Sequence, residues 1–582
     1  MSTSNSHIPI LPNRPRVLRI GGEIQRSYKT GRQNYTRAIL GEELSITVSI
    51  EWKAPFISTF RVNLVTTMNS LNGEKWTTIP FISSDSRNWD CRVKALKPGL
   101  HSFRAEFSTD NGKTWIRDNA EDAWILVDPP QIDGLRLYTI VPNVSGTITD
   151  WTADLERIKA MGFDAVHLLP LTTLDASQSP YSAKDLFSID SIYLDPDSSL
   201  TGLQQLETFV DAAKNLNIRL CFDLVLNHIG IHSNITEQAP DWIVPDPTQS
   251  DGFQRAKYLT DQGWCFWDDL VLINYEHPSE CIRAEIWAYM TKYMLFWARF
   301  ANITKGFVRF DNLHSSNRDF IKSLAETLHS EYPQVAILAE YFADETTMIK
   351  TSMDWGLNLN LATPWDYKFV PKLREYLKYI HRVSEQLRFF MPVTSHDSGT
   401  PAQEFGNAES TIPRYVAAAL LGTGATGIVQ GVEYGIKEKI NFIGKRPKMK
   451  FPAQAKFLNF IKKVNSILVD FPEFRQGGNC KFVDNDHHAI IAAFRQQKET
   501  NGILIICNFD ILSQQHITID LSSTFGKNPL SAIELISGEK IVFESSNLEF
   551  NLPPCSSLVI YFPSLFELGK KGSSSLTINQ YY

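Results

Sequence analysis

The feature that most constrains this chain is a rhythm in its middle. Short apolar runs end near Val141, Leu169, Leu226, Phe310, Ala339, Val393 and Val429. Helical patterns lie between several of them. In Trp151 to Met161, Leu155 and Ile158 share one face, and Phe320 to Leu328 forms another. Short strands alternating with helices imply βαβ units and a parallel sheet. The intervals Val141–Leu169 and Phe310–Ala339 each match one unit of about 30 residues. Leu169–Leu226 and Ala339–Val393 each match about two, so each predicts a strand without an apolar run of its own. Leu226–Phe310 is too long for one unit and predicts an inserted subdomain over about 229–280. The sum is about eight strands, the number that closes a (β/α)8 TIM barrel, here over 131–470.

The flanks read differently. Leu44-Ser-Ile-Thr-Val-Ser-Ile50, Phe60–Val65 and His101–Phe107 alternate apolar and polar residues, as half-buried strands do. Asp110-Asn-Gly112 and Pro98-Gly99 supply turns. Residues 16–130 are therefore expected to form an N-terminal β-sandwich, Ig-like or carbohydrate-binding-like. His488–Phe494, Gly502–Asn508 and Ser557–Phe562 predict a C-terminal antiparallel β domain over 471–565. A disordered arm (1–15) and a flexible tail (566–582) complete a multidomain α/β chain.

Composition narrows the class of function. Lys and Arg total 57 against 64 Asp and Glu, a net charge of −7. That lacks the basic footprint of a nucleic-acid binder. No apolar stretch approaches the roughly 20 residues of a membrane helix, and the polar start has no signal-peptide pattern, so no membrane partner is expected. The seven cysteines, an odd number with no C-x-x-C pair, argue against a disulfide framework or structural zinc. They fit a cytoplasmic protein. All 13 tryptophans lie at or before Trp365. Most are read as core. The cluster Trp264-Cys-Phe-Trp267 is the leading candidate for sugar stacking, and the neighbouring Asp268-Asp269 pair reads as a solvated turn. Nothing in the sequence indicates an oligomeric state.

In a barrel, polar residues at the carboxyl ends of strands line the active face. Here they are Asp223, Arg309 with Asp311, Glu340, and His396 with Asp397. Four carboxylates ending apolar strands repel each other and resist desolvation unless they are employed. Arg309 and Asp311, two apart, point to the same side of their strand, so the guanidinium is expected to hold Asp311 ionised. Such a cluster either binds a metal or cleaves a glycosidic bond with one ionised and one protonated carboxyl.

From Leu137 to Phe562 the sequence resembles the α-amylase superfamily of retaining α-glucan hydrolases and transferases. Four motifs occur in order: Asp223-Leu-Val-Leu-Asn-His228, Gly306-Phe-Val-Arg-Phe-Asp311, Leu338-Ala-Glu340 and Ser395-His-Asp397. Gly427–Gly435 resembles the last barrel strand, and Pro180-Tyr181 the site of a sugar-stacking aromatic. The N-terminal sandwich is similar to those of some maltosyltransferases and branching-type members. The resemblance implies Asp311 as nucleophile, Glu340 as acid/base and Asp397 as the residue holding sugar hydroxyls. It implies substrate contacts from Arg309, His228, His396, Tyr181 and His314, and support of the barrel mouth from Asp223 and Asn227.

Ser315 stands where many amylases carry a calcium-associated histidine, so no metal or other cofactor is expected. Asp311-Asn-Leu-His-Ser315 is nearest the glucanotransferase part of glycogen debranching enzymes, and resembles maltosyltransferases at Asp311-Asn-x-His. Maltosyltransferases that use maltose 1-phosphate depart from this chain at the first and fourth motifs. The function expected is 4-α-glucanotransferase or maltosyltransferase, with an α-glucan or maltooligosaccharide such as glycogen or maltodextrin as the partner molecule. An α-amylase-type hydrolase and a catalytically silent carbohydrate-binding protein are the alternatives.

Overall fold

The computed structural model describes residues 16–23, 35–51, 59–69, 76–83, 88–117, 122–260, 263–475, 477–483, 487–498, 501–525 and 530–563. The expected arm and tail lie outside the described residues. The chain divides into two compact units, 1–130 with 349–356, and 131–348 with 357–582.

The first unit carries two sheets. One runs in the order Arg16–Glu23, Glu43–Glu51, Asn88–Lys94, Ile82–Ser83; the other is built on Tyr35–Ile39, Ala123–Asp128, Gly99–Ser108, Arg61–Thr66 and Thr77–Pro80, with Ile116–Arg117 paired to Gly99–Ser108. The alternation seen in the sequence sends Leu44, Ile46 and Val48 inward from the first sheet, to meet Leu64, Phe103, Phe107 and Ile125 from the second in one core. Tyr35–Ile39 pairs in parallel with Ala123–Asp128. Arg37 and Asp128 form a buried ion pair there, with Nη2–Oδ1 at 2.6 Å.

The second unit contains a closed parallel barrel. Its strands and helices alternate without omission: Arg136–Ile140 (β1), Ile148–Ala160 (α1), Ala165–Leu168 (β2), Gly202–Asn215 (α2), Arg219–Val225 (β3), Glu280–Ile303 (α3), Phe307–Asp311 (β4), Arg318–Glu331 (α4), Ala336–Ala339 (β5), Glu345–Trp355 (α5), Leu359–Leu361 (β6), Val370–Val383 (α6), Phe389–Pro392 (β7), Thr411–Leu420 (α7), Thr426–Val429 (β8) and Leu458–Asp470 (α8). The later part of α5 falls in the first unit. Helix α1 starts at a capping box, in which Thr147 N–H donates to the Asp150 carboxylate at 2.8 Å. It buries Trp151, Leu155 and Ile158. β1 pairs with β8 to close the barrel, Leu137 opposite Gly427. Gly306, just before β4, allows close approach to β3: a Cβ there would lie 2.0 Å from the Leu220 carbonyl oxygen.

One interval differs from its reading. No barrel strand lies between Leu169 and Leu226, because β2 pairs directly with β3. That length is taken up by an antiparallel ribbon, Thr172–Leu174 with Ala183–Ile189, followed by α2. Ala339–Val393 does contain the extra strand, the three-residue β6. Between β3 and α3 the chain forms a second antiparallel sheet, in the order His228–Gly230, Gly263–Leu272, Arg255–Thr260. Asp268 and Asp269 sit inside the strand Gly263–Leu272 rather than in a turn.

After α8 a sheet runs in the order Cys480–Phe482, Ile490–Lys498, Asn501–Asn508, Ser557–Phe562, Leu530–Glu534, Lys540–Phe543. The ribbon Gln515–Asp520 with Asn547–Leu552 covers one core with it, including Ile490, Ile506, Ile519, Phe550 and Ile560. Among the described residues no helix is long and apolar enough to cross a membrane.

Candidate active site

The carboxyl ends of β3, β4 and β5 meet on one guanidinium. β3 and β4 run in register with Asp223 opposite Arg309. Arg309 Nη1 donates to both oxygens of Asp223 at 2.7 Å and to Asp311 Oδ1 at 2.8 Å. Its Nη2 lies 2.8 Å from Glu340 Oε2. The same Glu340 oxygen accepts from the backbone N–H of Asn312 at 2.9 Å. Asn312 takes a left-handed backbone, φ 47°. In asparagine this costs less than in most residues, and it turns the chain so that its amide faces Glu340.

Asp311 Oδ1 and Glu340 Oε2 thus sit on the two terminal nitrogens of one guanidinium, which makes the two carboxyls neighbours. The expectation that Arg309 holds Asp311 ionised is corrected here. Burial and the adjacent Glu340 charge raise the Asp311 carboxyl well above the usual range, and Arg309 only partly opposes them. One guanidinium serving three carboxylates cannot neutralise them all.

Asp223 behaves oppositely. Burial raises it, but the Arg309 charge and a hydrogen bond from His167 outweigh burial and hold it below the usual range. Asp223 Oδ2 takes His167 Nε2 at 3.1 Å and the Tyr181 hydroxyl at 3.0 Å. His167, on β2, was not singled out in the sequence. Its other nitrogen meets Thr139 Oγ1 on β1 at 3.2 Å. A polar residue inside the apolar run Ala165-Val-His-Leu-Leu169 was the available signal.

Tyr181 lies in the ribbon between β2 and α2. Its hydroxyl sits 2.6 Å from His396 Nε2, and the two rings stack at 5.7 Å and 4°. Burial and Arg309 lower His396 well below its ordinary value. Its ring is therefore neutral, with Nε2 as the donor toward Tyr181, whose hydroxyl donates onward to Asp223. Asp397 Oδ2 is 3.1 Å from the same nitrogen. About half of the Asp397 side chain stays exposed, although its surroundings raise its carboxyl by desolvation.

His228 and Asn227 are buried, yet both ring nitrogens of His228 and Oδ1 of Asn227 have no hydrogen-bond partner. Burial lowers His228 to about 4, leaving a neutral ring able to donate and accept. Buried polar groups without partners are rare in folded proteins and call for an explanation such as a ligand. His314 lies at the rim, exposed, 5.7 Å from the Phe342 ring. Burial lowers it while the Glu340 charge opposes. The structure thus joins Asp223, Arg309, Asp311, Glu340, Tyr181, His396 and Asp397 in one contact network. His228 and Asn227 follow β3, and His314 follows β4.

Among the described residues no group of three or more His, Cys, Asp or Glu side chains is arranged to hold a metal ion. The guanidinium at the centre of the carboxylates would repel a cation there.

A family described as the glucanotransferase domain of glycogen debranching enzyme matches residues 129–244. The α-1,4-glucan:maltose-1-phosphate maltosyltransferase of Picrophilus torridus is 23% identical over 418 residues, 67% of this chain and 63% of the relative. That of Arcanobacterium haemolyticum is 23% identical over 442 residues, 70% of this chain and 61% of the relative. The chain thus spans under two thirds of the length of these curated relatives. Among solved structures, a maltogenic α-amylase from Thermotoga neapolitana superposes with TM-score 0.59 at 18% identity, covering 74% of this chain and 98% of the other. A cyclomaltodextrinase superposes with TM-score 0.60 at 15% identity, covering 92% and 99%. These likenesses agree on the fold.

Proposed function

We propose that this chain, a member of the α-amylase superfamily, is a retaining enzyme that transfers α-1,4-linked glucan segments through a covalent glycosyl-enzyme intermediate. The observation that carries the reading is the pair Asp311 and Glu340 held side by side on the Arg309 guanidinium. A glucose unit enters between them, with Glu340 as the acid toward the glycosidic oxygen and Asp311 as the anion.

Asp311 attacks the anomeric carbon as the bond to the glycosidic oxygen breaks, and Glu340 gives its proton to that oxygen. The product is a glycosyl ester and a shortened chain carrying a new hydroxyl. In the second half Glu340 takes the proton of an acceptor sugar hydroxyl, whose oxygen displaces the ester. The linkage is restored with retention, and Asp311 is an anion again. Asp397 accepts from hydroxyls of the reacting glucose. Sugar hydroxyls supply partners to the ring nitrogens of His228 and to Asn227 Oδ1. Tyr181 offers a ring face, and its hydroxyl, fixed between His396 and Asp223, orients that face. Asp223 with His167 anchors Arg309, and His314 lies on the acid/base side. Water taking the place of the acceptor would make the same site a hydrolase.

Domain limits at 16–130, 131–470 and 471–565 fit this assignment, with glycogen or maltodextrin as substrate. None of the seven cysteines forms a disulfide among the described residues, which supports a reducing, cytoplasmic setting. Incubation with maltotriose tests the reading. Longer and shorter oligomers with little new reducing end are expected. Steady growth of reducing ends without longer products would make the protein a hydrolase, and no change in any α-glucan would leave only a binding protein.

A further inference from the structure

The sheet inserted between β3 and α3 carries more aromatic surface than its own core uses. Its hairpin, Arg255–Thr260 paired with Gly263–Leu272, places Tyr258 opposite Cys265 and Lys257 opposite Phe266. Directly opposed residues share a face, and residues two apart on one strand do so too. Tyr258, Cys265 and Trp267 therefore occupy one face, and Lys257, Trp264 and Phe266 the other. Tyr258 and Trp267 pack at 4.5 Å between ring centroids, and Trp267 stacks with His228 at 6.5 Å and 27°. Tyr258 is nonetheless 42% exposed. His228, at the near end of this row, is buried with both ring nitrogens unpartnered.

A row of rings that starts at an unsatisfied imidazole just past the carboxyl end of β3 and runs outward to an exposed tyrosine is built for an extended ligand with apolar faces and polar edges. A pyranose has that character: its C–H faces stack on aromatic rings and its hydroxyls meet donors and acceptors at the rim. The geometry points to the Tyr258–Trp267 face as the binding surface for the glucose units next to the reacting one, with His228 as its inner polar end. This rests on the proposed α-glucan reading and adds where the substrate chain lies. The opposite face is a built-in control. Trp264 and Phe266 are each 56% exposed, and Lys257 Nζ sits 4.8 Å from the Trp264 ring centroid, but that face turns away from Trp267.

The test uses the full chain and maltoheptaose, with binding followed by calorimetry and turnover by maltotriose disproportionation. Trp267→Ala and Tyr258→Ala are each expected to weaken maltoheptaose binding by about tenfold, the size of one lost ring contact. Trp267→Phe should recover most of the loss, and Trp264→Ala should leave binding unchanged. Glucose alone, too short to reach the row, should bind all variants alike. Unchanged maltoheptaose affinity in both inner-face variants overturns the inference, even with disproportionation intact. An equal loss in Trp264→Ala also overturns it, since the hairpin would then act as a whole rather than through one face. Failure of wild type to bind maltoheptaose or change maltotriose would sink the glucan reading itself, and this inference with it.

Discussion

At the scale of the residue, the site is a problem in sharing one positive charge. Arg309 touches Asp223, Asp311 and Glu340 at once, which only a planar fork of donors can do. Arg309→Lys keeps the charge but not the fork, and a loss of about a hundredfold in kcat/KM is expected, measured on maltotriose. Removing the proposed nucleophile costs more. Asp311→Ala should lower kcat by about four orders of magnitude with an unchanged circular dichroism spectrum.

Titration gives a further expectation. The native Asp311 carboxyl binds its proton more tightly than in the unfolded chain. That preference stabilises the fold fully at acid pH, below the unfolded carboxylate range, and is lost as pH rises through the higher native value. Asp311→Asn carries no charge at any pH. It should melt at a higher temperature than wild type at pH 8, and the difference should vanish near pH 4. A variant that melts lower at pH 8 would mean that Arg309 outweighs burial and Glu340 after all.

At the scale of the element, β3 and β4 set the geometry. Their register puts Asp223 opposite Arg309, and Gly306 lets them approach. Gly306→Ala would drive a methyl group into the Leu220 carbonyl. A destabilisation of about 3 kcal/mol, read by denaturant unfolding, is expected, together with lost activity as Arg309 and Asp311 shift. The strands that carry the chemistry were legible because each joins an apolar run to a charged end, as in Gly306-Phe-Val-Arg-Phe-Asp311. Strand β6 was inferable only from spacing, since three residues hold too little pattern to read alone. The interval Leu169–Leu226 misled for the opposite reason. An antiparallel ribbon adds length without adding a barrel strand, and spacing alone cannot tell them apart. His167 escaped because one polar residue in an apolar run also reads as core, and its partner Asp223 is far away in sequence. The rise of the Asp311 carboxyl depends on its burial and its distance from Glu340 at the end of β5, which no one-dimensional pattern encodes.

At the scale of the whole molecule, a barrel carries the proposed reacting groups at one end, and antiparallel inserts after β2 and β3 bring Tyr181 and the aromatic hairpin. The all-β regions before and after the barrel contribute none of the groups assigned to the chemistry. The central claim is that Asp311 becomes covalently glycosylated while Glu340 handles the proton. It is tested most directly by incubating the Glu340→Gln variant with α-maltosyl fluoride, whose leaving group needs no acid, and mapping peptides by mass spectrometry after acid quench. The account predicts a maltosyl ester on the peptide that contains Asp311, absent from the Asp311→Ala, Glu340→Gln double variant. Release of β-maltose with no adduct on any peptide would contradict it, because the substitution would then have proceeded in one step with inversion.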